Sequence, residues 1–196
     1  MTSSADSPLL LETISIKSGE AQHLQYHNQR FNKTRKELFD IDMPFDLQSI
    51  IKAPDQHRYR CRILYNQSIQ LIEYIPYLPK KIEKIKVIES NIEYNYKYEN
   101  RTEFNELLAL YPQNDELLLV TNGLVTDTTI ANIAFLNNGA WVTPQKPLLE
   151  GTTRQRLIDE GFLRAIEIKY SEIPHFDGVA LMNAMVGFKI ITPTWC

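Results

Sequence analysis

Cysteine is scarce in this sequence. The chain has two cysteines, Cys61 and Cys196, and they lie far apart. This number and spacing exclude a disulfide framework and offer no cysteine pair suited to zinc. A zinc site built on histidine is not indicated either, because His23 and His27 share a possible helix face without a third ligand or a glutamate base. We therefore predict no metal site.

Long apolar runs and an excess of one charge are also missing. No segment approaches the ~20 apolar residues that cross a bilayer, and residues 1–6 lack the basic and apolar regions of a signal peptide. The formal net charge of -3 gives no overall basic field, which disfavours a nucleic-acid partner. We expect a cytoplasmic protein with neither a nucleic-acid nor a membrane partner.

Several familiar catalytic signatures are absent as well. The sequence contains no Gly-x-Ser-x-Gly elbow, no Walker loop and no dinucleotide-binding glycine fingerprint. A hydrophobic content of 43% nevertheless supports a substantial core. Any catalytic site must therefore be sought in less familiar patterns.

Helix and strand patterns are mixed along the chain without strict alternation, which is typical of the α+β class. Apolar alternation predicts strands at residues 9–17, 21–26, 59–65, 68–74, 82–88, 92–98, 165–168, 178–182 and 189–192. Two further hairpins are predicted around Asn122-Gly123 and Asn137-Asn138-Gly139. Helical periodicity predicts helices at residues 27–39, 47–51, 100–110 and 154–160.

Two prolines, Pro76 and Pro79, mark a linker at residues 76–81, because proline cannot occupy a central strand. The linker predicts a small N-terminal α+β domain at residues 1–75 and a larger C-terminal domain at residues 82–196.

The segment at Gly151 is predicted to be a loop that becomes a helix. Gly151 would free the backbone, Thr152 and Thr153 could cap, and Gly161 would end the helix. Free backbone N–H groups and the helix dipole suit an anion such as phosphate at this end. An ordinary capped helix is the alternative.

Three charged residues have both a structural and a chemical interpretation. Lys97, between tyrosines, is either a solvent-facing strand residue or an amine whose pKa is lowered by desolvation, making it a nucleophile. Asp127 is either a turn aspartate or an acid that pairs with a cationic cofactor nitrogen. Arg30 is either an exposed helix charge or a fork for phosphate.

In this order, the arginine, the strand lysine, the acid-x-x-x-x-Asn hairpin and the Gly-x-Thr-Arg-like helix start resemble the class IV aminotransferases. These are the fold-type IV pyridoxal-phosphate (PLP) enzymes, which include branched-chain and D-amino-acid aminotransferases and aminodeoxychorismate lyase. The most specific piece is residues 125–135, which resemble the Val-Thr-Glu, Asn, Phe segment of the family.

The resemblance implies a role for each matching residue. Lys97, in the C-terminal domain, corresponds to the lysine that carries PLP. Arg30, Thr152 and Thr153 correspond to residues that bind the cofactor phosphate. Asp127 stands where the family usually has glutamate, beside the pyridine nitrogen, where an acid keeps that nitrogen protonated.

The resemblance also implies two α+β domains, a homodimer and a small amino substrate. The Asn100-Arg101 pair after Lys97 favours the lyase, which releases pyruvate from 4-amino-4-deoxychorismate and leaves the folate precursor 4-aminobenzoate. An aminotransferase acting on a branched-chain or D-amino acid is the alternative. Because Asp127 is shorter than glutamate, and because the sequence looks shortened at both ends relative to the family, a non-enzymatic relative is a third interpretation.

Overall fold

The structure is a computed structural model that describes residues 7–54 and 57–196. Residues 1–6, which entered the expectation of a cytoplasmic location, lie outside the described residues. The contacts divide the chain into two compact units. Unit 1 comprises the chain up to Leu78 together with the later segment Tyr96–Asn100. Unit 2 comprises Pro79–Asn95 and Arg101–Cys196. The boundary falls inside the predicted linker, whereas Lys97 groups with unit 1 and not with the C-terminal part.

Unit 1 is built on one antiparallel sheet with the strand order β2-β1-β3-β4. Its strands are β1 (Leu10–Lys17), β2 (Glu20–Ala21), β3 (Arg58–Tyr65) and β4 (Ile69–Pro76). The helix α1 (Leu24–Phe39) follows β2, and a short 3-10 helix spans Leu47–Ser49. Phe31 of α1 packs its ring 4.5 Å from the ring of Tyr65 in the core of this unit.

Unit 2 contains two mixed sheets. The first, with the order β13-β5-β6-β7, contains β5 (Lys84–Glu89), β6 (Glu116–Thr121), β7 (Leu124–Thr128) and β13 (Thr194–Trp195). The second, with the order β10-β9-β8-β11-β12, contains β8 (Asn132–Asn137), β9 (Ala140–Pro144), β10 (Leu163–Ile166), β11 (Gly178–Asn183) and β12 (Gly187–Ile191). The helices are α2 (Thr102–Ala109), α3 (Thr152–Asp159) and a 3-10 segment at Tyr170–His175.

Successive side chains of β8 point to opposite faces and belong to two different hydrophobic clusters of unit 2. Ile133 and Phe135 belong to a buried cluster shared by the two sheets. Ala134, which points to the opposite face, packs with Leu157 of α3 and Met182 of β11. The strand is therefore covered on both sides, and α3 is held against the second sheet by its apolar side.

Local turn chemistry places the elements near the predicted site. Asn122 and Gly123 have φ values of 52° and 75°, as the tight turn between β6 and β7 requires. Gly161 has a φ of 71°, and its N–H donates to Ile158 O at the end of α3. The predicted α+β class, the hairpins and the helix that ends at Gly161 are thus confirmed.

The predicted strand at 92–98 is wrong. The segment is irregular, and only Tyr98 forms an isolated bridge, to Leu10. A strand would place its three alternating tyrosines on one face, but Tyr94 packs edge-on against Phe104 in unit 2. Tyr96 and Tyr98 pack in the core of unit 1 instead. Packing in two different cores prevents a continuous strand.

Two smaller predictions also fail. Residues 21–26 do not form a strand, because β2 ends at Ala21 and α1 begins at Leu24. Residues 47–51 do not form the predicted helix over their full length but only a 3-10 helix at Leu47–Ser49, where Asp46 accepts a hydrogen bond from the Gln48 N–H. Among the described residues, no helix combines the length and apolar character needed to cross a membrane.

Candidate functional site

Unit 1 buries a cluster of three ionisable side chains. Glu12 of β1 is 0% exposed and is approached by two residues of α1. Arg30 donates from Nε to Glu12 Oε1 at 2.8 Å and from Nη2 to Oε2 at 2.7 Å. His27 Nδ1 lies 2.7 Å from the same Oε2. His27 and Arg30 meet one carboxylate because residues three apart share a helix face.

The charges in this cluster determine its protonation. Burial alone would raise the pKa of Glu12, but the Arg30 guanidinium and the hydrogen bonds from His27 and Arg30 lower this pKa to about 2. Burial lowers the pKa of His27, against the opposing influence of Glu12. An ionised carboxylate can only accept hydrogen bonds, so the Nδ1 atom of a neutral His27 carries the proton.

Arg30 is therefore already engaged by a carboxylate. Arg30 was predicted to bind phosphate with two hydrogen bonds, and the planar edge formed by its Nε and Nη2 is occupied by Glu12. The side chain retains 14% exposure.

Lys97 lies beside the N-terminal end of β1 in unit 1. Its carbonyl accepts a hydrogen bond of 2.8 Å from the Leu11 N–H, and Glu99 N–H donates to Leu9 O. The lysine is partly buried, and its charge contributes to the lowered pKa of His27. Lys97 thus belongs to the same electrostatic neighbourhood as the Glu12 cluster.

Asp127 is a buried acid of unit 2. It lies on β7 with 4% exposure. Its Oδ1 accepts from Asn132 Nδ2 at 2.7 Å, and its Oδ2 accepts from the Leu149 N–H at 3.0 Å. Burial raises the pKa of Asp127 to about 7, although these donors and the charge of Arg154 act in the opposite direction. The hydrogen-bond donors to Asp127, which also include the Leu148 backbone, are all neutral, so the charge of this carboxylate is only weakly compensated.

The helix start predicted at Gly151 is present. Thr152 and Thr153 form the first turn of α3 and are buried, with 7% and 6% exposure. Gly151 is the N-cap, and no side chain makes a capping hydrogen bond there. The first-turn N–H groups have no partner within the helix, because helical bonding begins with Gln155 N–H to Gly151 O.

Gly151 is required for a different reason from the one predicted. Its φ of -69° and ψ of 141° are extended values that any residue adopts, so backbone freedom is not the reason. A Cβ atom at this position would lie 1.9 Å from Asn132 Oδ1. The glycine therefore makes room for Asn132, and the predicted threonine caps do not form.

Arg154 adds a buried cation to the first turn of α3. Its Nη2 donates to Pro144 O at 2.8 Å. Its Nε is buried and has no hydrogen-bond partner among the described residues. A helix N-terminus with an unsatisfied buried donor beside it is suited to an anionic group.

The turn after Asp127 is also anchored by charged groups of unit 2. Buried Glu116 accepts hydrogen bonds from the Thr129 N–H and hydroxyl, and Arg101 donates to Thr129 O. Burial raises the pKa of Glu116. These contacts hold residues 128–131, which connect Asp127 to β8.

Unit 2 also has a cavity of ≈ 440 Å³. Residues that line it include Asn91, Asn95, Thr126, Gln145, Leu148 and Ile168. Asp127, Thr152 and Thr153 do not line this cavity. Its volume falls in the range of small-molecule sites, but it is distinct from the predicted phosphate-binding turn.

The sequence analysis missed Glu12 and the true reason for Gly151, and it included Asn132 only as the last residue of the acid-x-x-x-x-Asn hairpin. For Glu12 a signal was available, because an acid inside the apolar strand Leu10–Lys17 must find a partner when it is buried. His27 was considered only as a metal ligand. For the contact between Asn132 and Gly151 no local signal exists, since these two residues lie far apart in the chain.

Comparison with known proteins identifies the family. The family model for amino-transferase class IV matches residues 97–192. A protein from Haemophilus influenzae, described as an "Uncharacterized protein", is 35% identical over 91% of this chain and 98% of its own length. A "Putative aminodeoxychorismate lyase" from Schizosaccharomyces pombe is 35% identical over 78% of this chain and 74% of its own. The chain belongs to the class IV aminotransferase family, as the sequence motifs predicted.

Solved structures agree with this assignment. The crystal structure of a "putative 4-amino-4-deoxychorismate lyase" from Haemophilus somnus superposes with a TM-score of 0.83 at 36% identity, covering 93% of this chain and 98% of that chain. A hypothetical aminotransferase from Mycobacterium tuberculosis, in its PLP-bound form, gives a TM-score of 0.76 at 14% identity and covers 96% of this chain and 82% of that chain. This second likeness concerns the fold, which is that of the fold-type IV enzymes.

Proposed function

We propose that this protein is a PLP-dependent lyase that releases pyruvate from 4-amino-4-deoxychorismate and leaves 4-aminobenzoate, a precursor of folate. The observation that carries the proposal is in unit 2, where a buried acid is hydrogen-bonded to the loop that leads into the start of α3, and a helix start suits an anion. PLP has a ring nitrogen that can be cationic and an anionic phosphate. The two kinds of group present in unit 2 match these two features.

The phosphate would be bound at the first turn of α3. Thr152 and Thr153 offer hydroxyl and N–H donors, and the helix dipole adds a positive potential. Arg30 of unit 1, which the family resemblance implies as a phosphate ligand, has its Nε–Nη2 edge bound by Glu12.

The ring nitrogen would be paired with Asp127. A buried carboxyl whose pKa is about 7 becomes ionised readily when a cation is placed beside it, because the opposite charge favours the charged form. Asn132 and the Leu149 N–H fix the two carboxylate oxygens, so the acid is held in one orientation. When bound, PLP would supply an electron sink for a carbanion at the substrate carbon that bears the amine.

Lys97 would hold the cofactor and move protons. In the family the matching lysine carries PLP, and its released amine can act as base and then as acid. The position of Lys97 at a main-chain hydrogen bond to Leu11 fixes the backbone from which the amine extends.

The choice of a lyase is supported by the relatives. Two proteins that are 35% and 36% identical to this chain, over most of their lengths, are described as a "Putative aminodeoxychorismate lyase" and a "putative 4-amino-4-deoxychorismate lyase". The Asn100-Arg101 pair after Lys97 points the same way. An aminotransferase would use the same cofactor and the same lysine, so the reaction itself must be measured.

Cofactor binding is tested by absorbance spectroscopy of the purified protein with added PLP. We expect an absorbance band of lysine-bound PLP. Borohydride should remove this band by reducing the linkage to a stable secondary amine, which mass spectrometry should assign to Lys97. Lys97→Ala should lose the band, whereas Lys52→Ala, an exposed lysine of the same unit, should retain it. Absence of the band from the wild type would favour a non-enzymatic relative.

The reaction is tested by incubating the PLP-loaded protein with 4-amino-4-deoxychorismate. We expect 4-aminobenzoate and pyruvate in equal amounts, without need for a keto acid, and neither product from Lys97→Ala. Amino-group transfer that depends on a keto acid, with no 4-aminobenzoate, would replace the lyase by an aminotransferase.

We also propose a homodimer, on the basis of the family resemblance. Light scattering of the PLP-loaded protein should give twice the mass of one chain. A mass of one chain at all concentrations would contradict this.

A further inference from the structure

Asn132 contacts three separate parts of the predicted site in unit 2. It is the first residue of β8 and is 6% exposed. Its Nδ2 donates to Asp127 Oδ1 at 2.7 Å and to Leu149 O at 2.8 Å. Both partners are acceptors, so the amide nitrogen and not the oxygen must face them. Both hydrogens of the amide are thereby used.

The Asn132 side-chain oxygen faces Gly151. The three nearest heavy atoms to a Cβ at that position all belong to the Asn132 side chain, with Oδ1 at 1.9 Å and Cγ at 3.1 Å. Because Gly151 has ordinary extended torsions, space for this amide accounts for the glycine. The N-cap of α3 and Asn132 are therefore packed as a matched pair.

Leu149 completes the arrangement. Its N–H donates to Asp127 Oδ2, and its carbonyl accepts from Asn132. Both polar groups of this loop residue are thus satisfied by the acid and the amide, two residues before the N-cap. The loop that enters α3 has its position set by side chains of β7 and β8.

We propose that Asn132 is a positioning residue that holds Asp127 and the first turn of α3 in one fixed arrangement. Its role rests on the proposed function, in which Asp127 meets the ring nitrogen of PLP and Thr152 and Thr153 meet the phosphate. A rigid cofactor can satisfy both contacts only if the acid and the helix start keep a constant separation. Asn132 supplies that constraint without itself touching the cofactor.

The decisive test is a double-mutant cycle with Asn132→Ala and Gly151→Ala. We expect each single variant to lower PLP affinity by about tenfold or more, since each disturbs the hydrogen bonds that fix Asp127 and the loop entering α3. The double variant should be no weaker than Asn132→Ala within about twofold, because neighbouring changes that share one contact are not additive. Asn137→Ala, at the other end of β8, is the matched control and should bind PLP normally.

The wild type, the two single variants and the double variant are also compared by thermal unfolding without PLP. Gly151→Ala should lower Tm by several degrees in the wild-type background and by much less in the Asn132→Ala background. If Gly151→Ala alone fails to fold, recovery of folding in the double variant carries the same meaning. Additive losses in both measurements would overturn the proposal.

A spectroscopic measurement separates positioning from general destabilisation. In Asn132→Ala at a temperature where it is fully folded, the pH dependence of the PLP absorbance should shift relative to wild type, because Asp127 loses a hydrogen bond that stabilises its ionised form. An unshifted profile with normal PLP affinity would sink the positioning role while leaving the proposed function intact. If the wild type binds no PLP, the proposed function fails, and additivity of the Tm changes still decides whether Asn132 and Gly151 are coupled.

Discussion

Glu12 is buried in unit 1 and Asp127 is buried in unit 2, and the pKa values of these two carboxyl groups are shifted in opposite directions. The pKa of Glu12 in unit 1 is lowered to about 2, whereas that of Asp127 in unit 2 is raised to about 7. Burial by itself raises the pKa of both carboxyl groups. Glu12 accepts hydrogen bonds from a guanidinium and an imidazole, whereas Asp127 accepts them from an amide and a backbone N–H. The charge of the donors, and not the depth of burial, decides the outcome.

The difference separates a structural acid from an acid suited to chemistry. The charge of Glu12 is already compensated by Arg30, so this pair contributes to the fold. Asp127 has only neutral hydrogen-bond donors among the described residues, so a cationic ligand would gain free energy by pairing with it. This comparison favours Asp127, and not Glu12, as the partner of the cofactor nitrogen.

The largest effect is expected from Glu12→Gln. Removing one member of a buried ion pair leaves the Arg30 charge without compensation and should lower the free energy of unfolding by about 3–5 kcal/mol. Urea unfolding monitored by fluorescence measures the change. Glu20→Gln, an exposed acid of β2, is the control. A loss of stability no larger than in Glu20→Gln would contradict the difference drawn between the two carboxyls.

The second prediction concerns stability against pH. Between pH ~4 and ~7 the folded protein keeps a proton on Asp127 that the unfolded chain has lost, so this group makes stability fall as pH rises, by up to roughly 4 kcal/mol. Glu12 acts oppositely, since its stabilisation is present above pH ~4.5 and is lost as pH falls toward ~2.

The pKa of His27 also changes on folding, so the pH dependence of the wild type alone does not report on Asp127. Comparing wild type with Asp127→Asn isolates the contribution of Asp127. The difference in unfolding free energy between Asp127→Asn and wild type, both without PLP, should grow in favour of the variant from pH 4 to pH 8. Asp159→Asn, on the exposed side of α3, should show no such trend. A flat difference for Asp127→Asn would mean that its pKa is not raised.

Asp127→Asn should also impair catalysis. The amide cannot hold a proton on the ring nitrogen, and loss of one electrostatic contact of this kind costs about a hundredfold or more in rate. Rates of 4-aminobenzoate formation at saturating PLP measure the effect. A kcat within twofold of wild type would remove Asp127 from the proposed site.

The smallest effect is expected at the helix start. Thr152→Val and Thr153→Val each remove one hydroxyl and should weaken PLP by about tenfold, because a hydrogen bond to a charged group contributes ~1.5–3 kcal/mol. Pyridoxal, which has no phosphate, should bind the variants and the wild type alike. An equal loss for pyridoxal would show that the threonines support the fold and do not bind phosphate.

The elements that sequence patterns predicted are those with local causes. The Asn122-Gly123 turn is dictated by residues that accept positive φ values, and α3 ends where Gly161 follows it. The predicted strand at 92–98 failed because its tyrosines pack in two different cores, which alternation along the chain cannot reveal.

The candidate site divides in the same way. Lys97, Arg30, Asp127, Thr152 and Thr153 could be selected from sequence because their types and order resemble a family. Their environments could not be predicted, since Arg30 meets Glu12 across 18 positions and Asp127 meets Leu149 across 22. A hydrogen-bond partner that distant is determined only when the strands and loops have packed.

The sequence by itself determined the family, the α+β class and which residue types stand ready for chemistry. These properties depend on side-chain identity and on interactions between near neighbours in the chain. The tertiary structure alone decided which buried acid has its charge compensated by a cation, where the Lys97 segment packs, and why residue 151 must be glycine. Those outcomes depend on charge, desolvation and contact between distant segments, which arise only in the folded chain.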